Sequence, residues 1–113
     1  MIHVYGIPNC DTVKKARTWL EARGIGYTFH DYKKEGATLE KVAGWLADKG
    51  ADVVLNKRGT TFRKLSDADR ARADSDPAGL MVEQPSLIKR PVVEHGGGLL
   101  VGFDQGEWEA ALG

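Results

Sequence analysis

The sequence predicts an α/β domain, a mixed sheet assembled from a β-α-β half and a β-β-α half with a helical segment inserted between them. Three observations lead there. An apolar run, a helix-period stretch and a second apolar run follow one another within about thirty residues, the span of a right-handed parallel crossover unit. Two strand-like runs flank His95-Gly96-Gly97-Gly98 near the other end of the chain, the pattern of a hairpin. Between the halves, helical periodicity alternates with stretches that have none.

Ile2 to Tyr5 is a short apolar run ended by Gly6 and Pro8, which predicts a buried first strand. Pro8-Asn9-Cys10-Asp11-Thr12 opens a helix with Val13, Ala16, Trp19 and Leu20 on one face, and Arg23 with Gly24 supplies its stop. Tyr27 to His30 predicts the second strand. Thr38 caps a second helix whose inward face is expected to hold Leu39, Val42, Ala43 and Leu46, with Gly50 ending it. Periodicity is poor from Asp52 to Leu65, and Asn56 to Arg63 is expected to be an ordered surface loop. Ser66 with Asp69 forms a capping-box pattern for a charged helix. Asp76-Pro77 starts a further helix through Leu80, Met81 and Val82, stopped at Pro85. Pro91 to Glu94 and Leu99 to Val101 are the hairpin strands, and Asp104 with Glu107 caps a last helix carrying Trp108, Ala111 and Leu112. The order matches a thioredoxin-like, or glutaredoxin-like, core within one domain over residues 1–113.

Sixteen basic and sixteen acidic residues balance in the 113-residue chain, so there is no general attraction to a polyanion and no direct nucleic-acid partner is expected. Apolar runs of a few residues are far too short to span a bilayer, and no signal-peptide pattern opens the chain. A cytoplasmic monomer is the expectation. One cysteine, Cys10, excludes an intramolecular disulfide and a cysteine-based zinc site in a single chain. His3, His30 and His95 have no ligand-like spacing, and no metal is expected.

Cys10 stands where a Gly-x-Pro-x-Cys turn delivers a side chain to the opening of a helix. Backbone N–H groups left unpaired there carry partial positive charge and favour thiolate over thiol by about 0.5–2 kcal/mol. Thiolate is the nucleophilic species. Asp11 is expected to oppose this, with Lys14 and Lys15 offsetting it. Position 13, where a dithiol oxidoreductase carries its second cysteine, is Val13, so a catalytic cycle needs an outside thiol. Trp19, Trp45, Trp108 and Met81 read as packing residues. His30-Asp31 reads as a polar pair at a strand end, and Gly96 to Gly98 as turn geometry rather than a phosphate cradle.

Tyr5 to Thr12, Asn56 to Leu65 and Pro85-Ser86-Leu87-Ile88-Lys89-Arg90-Pro91-Val92 together resemble the ArsC-type arsenate reductases of the thioredoxin fold. They are closer still to a sister branch of reductase-like proteins grouped with the Spx regulators. The resemblance covers nearly the whole chain. It implies that Cys10 is the nucleophile, flanked by Asn9 and Thr12 as substrate contacts. It further implies that Arg90 binds an oxyanion and that Pro91 is a cis-proline facing the site. No bound cofactor is implied; glutathione, with glutaredoxin, is the implied reductant.

Three departures separate the sequence from true arsenate reductases. Gly6 stands where they carry a histidine, Asn56 replaces their first anion-binding arginine, and no basic residue stands near Gly102 for the third. Arg58 and Arg63, within Arg58-Gly59-Thr60-Thr61-Phe62-Arg63, are the substitutes the resemblance offers. A glutathione-dependent monothiol reductase acting on an oxyanion or a disulfide is the leading expectation. The alternatives are an Spx-like regulator that docks on RNA polymerase and a true arsenate reductase; Val13 removes the Cys-x-x-Cys switch that such regulators often use.

Overall fold

Four short strands carry one row of apolar residues across a single sheet face: Phe29, Val4, Val93 and Leu100 are register partners in that order. They belong to β1 (His3–Gly6), β2 (Thr28–Asp31), β3 (Val92–His95) and β4 (Gly98–Val101) of a computed structural model that describes residues 2–113. The sheet order is β2-β1-β3-β4. β1 and β2 run parallel, and the two other pairings are antiparallel. The mixed sheet with β-α-β and β-β-α halves is the predicted one, and its strands begin within a residue or so of the sequence pattern.

Two units make up the chain, residues 1–34 with 90–113 and residues 35–89. In the first, α1 (Asp11–Ala22) and α8 (Gln105–Leu112) cover the apolar row. The helical stripe predicted for α1 is the buried one: Val13, Ala16, Trp19 and Leu20. Helix α1 stops as its sequence dictates. Gly24 takes a positive φ of 67°, its N–H bonds the Glu21 carbonyl at 3.1 Å, and the Ile25 N–H reaches back to the Leu20 carbonyl at 3.0 Å. That is a glycine-terminated cap with its usual apolar contact, since Ile25 packs on the cluster that includes Leu20.

Trp108 anchors α8. Its ring is fully buried, meets Trp19 and Phe103 edge-on at 5.7 and 4.8 Å between centroids, and its indole N–H donates to the Gly102 carbonyl at 3.1 Å. Trp108→Ala is expected to cost about 3–5 kcal/mol through the cavity and the lost ring contacts. A urea titration followed by circular dichroism checks this by a lowered midpoint.

On the opposite sheet face His3, Tyr5, His30 and Glu94 lie together. His3 Nδ1 and His30 Nε2 are 2.9 Å apart, Tyr5 stacks on His30 at 4.5 Å, and the Tyr5 hydroxyl donates to Glu94 at 3.2 Å. His30 therefore pairs with His3 and Tyr5, while Asp31 turns to the backbone that follows it. The hairpin turn uses Gly96 and Gly97, with Gly98 paired to His95 as the first residue of β4.

The second unit is helical, as its position between the halves predicts: α3 (Leu39–Lys49), α4 (Ala51–Val54), α5 (Thr60–Arg63), α6 (Asp67–Ser75), α7 (Pro77–Glu83) and a 3-10 turn over Pro85–Leu87. Thr38, Ser66 and Asp76 cap α3, α6 and α7 through their side chains, each accepting an N–H left open by the first turn. The inward face of α3 differs from expectation. Val42 and Trp45 are buried, whereas Leu39 is 57% exposed and Ala43 is also exposed; burying the large Trp45 ring sets the rotation of the helix. The stretch expected to be a loop, Asn56 to Arg63, contains α5, and α4 falls just before it where the periodicity is poor. Leu55 forms a bridge with Ile88, closed by Asn56 N–H to Leu87 O and Lys89 N–H to Val54 O, both 2.7 Å. Alternating strand patterning cannot reveal so short a pairing. No helix among the described residues is long and apolar enough to cross a membrane.

Candidate active site

The sheet topology gathers three side chains at one end. β1 and β2, being parallel, both run toward it, and β3, being antiparallel to β1, starts from it. Cys10 follows β1 through a short turn, Tyr32 comes directly after β2, and Arg90 stands two residues before β3. The register fixes how near these ends are, with Gly6 opposite Asp31 and Tyr5 opposite Val92.

Cys10 is the N-cap of α1, with extended backbone angles of φ −78° and ψ 127°. Its N–H donates to the Ile7 carbonyl at 3.1 Å and its carbonyl accepts the first helical bond from Lys14 N–H at 2.9 Å. The turn is tight because position 6 has no side chain. A Cβ on Gly6 would lie 2.9 Å from Val13 Cγ2, so β1 and the first turn of α1 approach as only glycine permits. A larger side chain has no room at this position unless Val13 moves.

The sulfur is free and half-buried. Burial pushes its pKa up, yet the Val13 N–H, a hydrogen bond from Arg90, the Thr12 N–H and the Arg90 charge together bring it below the ordinary thiol value. No capping hydrogen bond of ordinary geometry joins the Cys10 side chain to the helix, so these amides act on the sulfur chiefly as aligned dipoles. Asp11, Lys14 and Lys15, expected to matter, are not among the leading influences. Side chains on a helix N-terminus radiate outward, whereas the backbone amides converge on the cap.

Arg90 is half-buried, and the Arg90–Pro91 bond is cis. Pro91 is buried and its carbonyl accepts from Gly102 N–H at 2.8 Å, which ties the approach to β3 to the end of β4. The guanidinium hydrogen-bonds both the Cys10 sulfur and the Tyr32 hydroxyl, and these partners outweigh burial to raise the Arg90 pKa further. Arg90 is a permanent cation.

Tyr32 was not singled out by the sequence. It is 1% exposed, and burial pushes its pKa up to about 12 against the opposing pull of Arg90; it is a neutral phenol under physiological conditions. Its only signal is position. It follows immediately on the end of a strand parallel to the one that leads to Cys10, and Asp31 beside it caps the short helix α2 (Tyr32–Glu35) by accepting the Lys33 and Lys34 N–H groups at 3.1 and 3.2 Å.

Thr12 and Asn9 are exposed on either side of Cys10. Arg58 and Arg63 are exposed residues of the second unit. The Arg58 N–H closes an Asn56 turn at 3.1 Å, and the Arg63 carbonyl accepts from Arg70 at 2.6 Å. Among the described residues no group of three or more His, Cys, Asp or Glu is arranged to hold a metal ion.

The ArsC family model matches residues 5–111. An uncharacterized protein of Haemophilus influenzae is 43% identical over 113 residues, covering 99% of each chain. The global transcriptional regulator Spx of Staphylococcus saprophyticus is 27% identical over 109 residues, covering 95% of this chain and 83% of the regulator. Among solved structures, the protein named YFFB is 51% identical with a TM-score of 0.94 and full coverage of both chains. An arsenate reductase (ArsC) related protein from Brucella melitensis is 52% identical with a TM-score of 0.75, covering 96% of this chain and 92% of that one. A match that runs from the strand before Cys10 to the last helix takes in every element that builds this site, and the chain belongs to the ArsC family.

Proposed function

We propose that this protein is a cytoplasmic, glutathione-dependent monothiol reductase in which Cys10 is the nucleophile. The observation that carries the reading is the Cys10 sulfur itself. It is accessible at a helix start, held toward thiolate by two backbone N–H groups and Arg90, and no second cysteine exists in the chain. Family membership supports thiol-dependent reductase chemistry in general; glutathione enters because a lone thiolate needs an external thiol to complete a cycle.

The cycle takes in one external disulfide and one external thiol. The Cys10 thiolate attacks the glutathione sulfur of a disulfide that includes glutathione, forming the Cys10–glutathione bond. The S–S bond breaks, and the departing sulfur leaves with the electron pair and takes a proton from water. An incoming thiolate then attacks the glutathione sulfur of the mixed disulfide and Cys10 departs as thiolate. Arg90 favours this second step as well, because it stabilises the leaving sulfur. Its forked N–H donors also suit a substrate carboxylate or a tetrahedral oxyanion.

The test uses the reduced wild-type chain and oxidised glutathione at neutral pH. The expected result, by intact-mass spectrometry, is one glutathione added per chain and removed by fresh glutathione or glutaredoxin. A chain that stays unmodified while a free cysteine control reacts would overturn the reading.

The likeness to Spx favours a second reading, a regulator that docks on RNA polymerase; co-purification of polymerase with the tagged chain is its test. Arsenate reduction is the less favoured variant of the first reading, since Gly6 leaves no room for a histidine beside the sulfur. A Cys10-dependent signal in an arsenate-driven assay coupled to NADPH through glutaredoxin would restore it.

A further inference from the structure

The Cys10–Arg90 pair has a buried third member with no assigned part. Arginine is long and flexible, and a single contact to a half-exposed sulfur leaves its planar fork free to rotate. Tyr32 supplies the second point of attachment. Its ring is sealed in the protein at 1% exposure, and its backbone is fixed on one side by β2 and on the other by the Asp31 cap. Its hydroxyl oxygen accepts from the same guanidinium that donates to the sulfur.

We propose that Tyr32 is a positioning residue for the thiol chemistry, holding the Arg90 guanidinium so that its donors face the Cys10 sulfur. The inference rests on the reading of Cys10 as an activated nucleophile and adds a residue to it. The Tyr32 hydroxyl and the Cys10 sulfur share one guanidinium, whose five N–H donors exceed what these two acceptors use and leave capacity for an incoming anion. As Cys10 passes from thiolate to mixed disulfide, Arg90 loses a negative partner but keeps its place, because the Tyr32 contact does not depend on the state of the sulfur. The guanidinium is then already oriented when Cys10 must leave as thiolate.

The experiment titrates the full reduced chain by thiolate absorbance at 240 nm and follows its reaction with oxidised glutathione across the same pH range. In Tyr32→Phe, which removes only the hydroxyl, the Cys10 midpoint is expected to rise. The thiolate fraction below that midpoint falls about threefold to tenfold, the scale of a weakened charge-assisted hydrogen bond. In an Arg90→Ala background the same substitution is expected to change the fraction less than twofold, since its path runs through Arg90. A purely structural tyrosine would lower the melting temperature without moving the midpoint. A folded Tyr32→Phe chain that titrates like wild type overturns the inference and leaves the reading of Cys10 standing. Wild-type Cys10 titrating as an ordinary thiol overturns both.

Should Tyr32→Phe fail to fold, wild-type chain labelled at the tyrosine Cζ carbons decides the matter. The chain has three tyrosines, and the Tyr32 resonance is expected to shift with the Cys10 midpoint and to lose that response in Arg90→Ala. A Tyr32 resonance indifferent to the Cys10 titration overturns the inference.

Discussion

Replacing Cys10 by serine is expected to abolish glutathione capture, taking the intact-mass signal from one adduct per chain to none. The chain contains no other cysteine, and a serine hydroxyl is not ionised at neutral pH. The fold is expected to survive, because the backbone bonds of position 10, to Ile7 and from Lys14, do not involve the sulfur. Serine is also a favoured N-cap residue, whereas the Cys10 side chain closes no capping bond; the variant gains up to about 1 kcal/mol where the thiol is protonated.

That advantage depends on pH. The pKa of Cys10 is lower in the folded chain than its ordinary value of 9.0. Its ionisation therefore contributes stability that is fully present above pH 9.0 and is lost as the pH falls through the folded value. Melting temperatures of wild type and Cys10→Ser measured from acid to alkaline pH are expected to draw together as the pH rises. Curves separated by a constant interval would mean that the sulfur is not held as thiolate.

Arg90→Ala is expected to give the second-largest loss, and the size depends on the reagent. Removing the guanidinium takes away two of the influences that lower the Cys10 pKa, its hydrogen bond and its charge, so that pKa rises. Toward iodoacetamide, which is neutral, the smaller thiolate fraction is partly offset because a more basic thiolate is intrinsically more nucleophilic; about half the pKa change survives in the rate, a loss of roughly threefold to tenfold. Oxidised glutathione carries carboxylates that Arg90 also attracts, so its rate is expected to fall further, roughly tenfold to a hundredfold. The part of each loss that comes from a smaller thiolate fraction closes as the pH rises past 9.0, the ordinary thiol value, whereas the part that comes from carboxylate recognition persists. The ratio of the two losses isolates anion recognition from thiol activation. Equal losses with both reagents would assign Arg90 to activation alone.

Much of this architecture was legible in the sequence because local rules and tertiary demands agree. Gly24 closes α1 where the periodic stripe ends, and Thr38, Ser66, Asp76 and Asp104 cap the helices they precede. The placement of Cys10 followed from the strand-turn-helix pattern alone. The pairing of Arg90 with it did not, since eighty positions separate them in the chain, and only the family resemblance pointed there. Roles for Arg58 and Arg63 rest on that resemblance. Tyr32 was illegible because an aromatic after a strand reads as core filler; its contact with Arg90 exists only once the parallel register of β1 and β2 brings the ends of those strands side by side. The face of α3 was misread for a related reason. Counting aliphatic positions gave Leu39 and Ala43 the weight that a single tryptophan, Trp45, takes in the folded unit.

Val13, packed against Gly6, puts a hydrocarbon where an internal second thiol would stand, and this sets the kinetics of the proposed cycle. In a dithiol enzyme the residue at this place attacks the mixed disulfide from within, at a rate independent of concentration. Here a hydrocarbon fills it, so every turnover waits for a collision. The adduct's lifetime then varies inversely with the supply of reduced thiol, and the fraction of chains carrying glutathione becomes a direct measure of how oxidised the surrounding pool is.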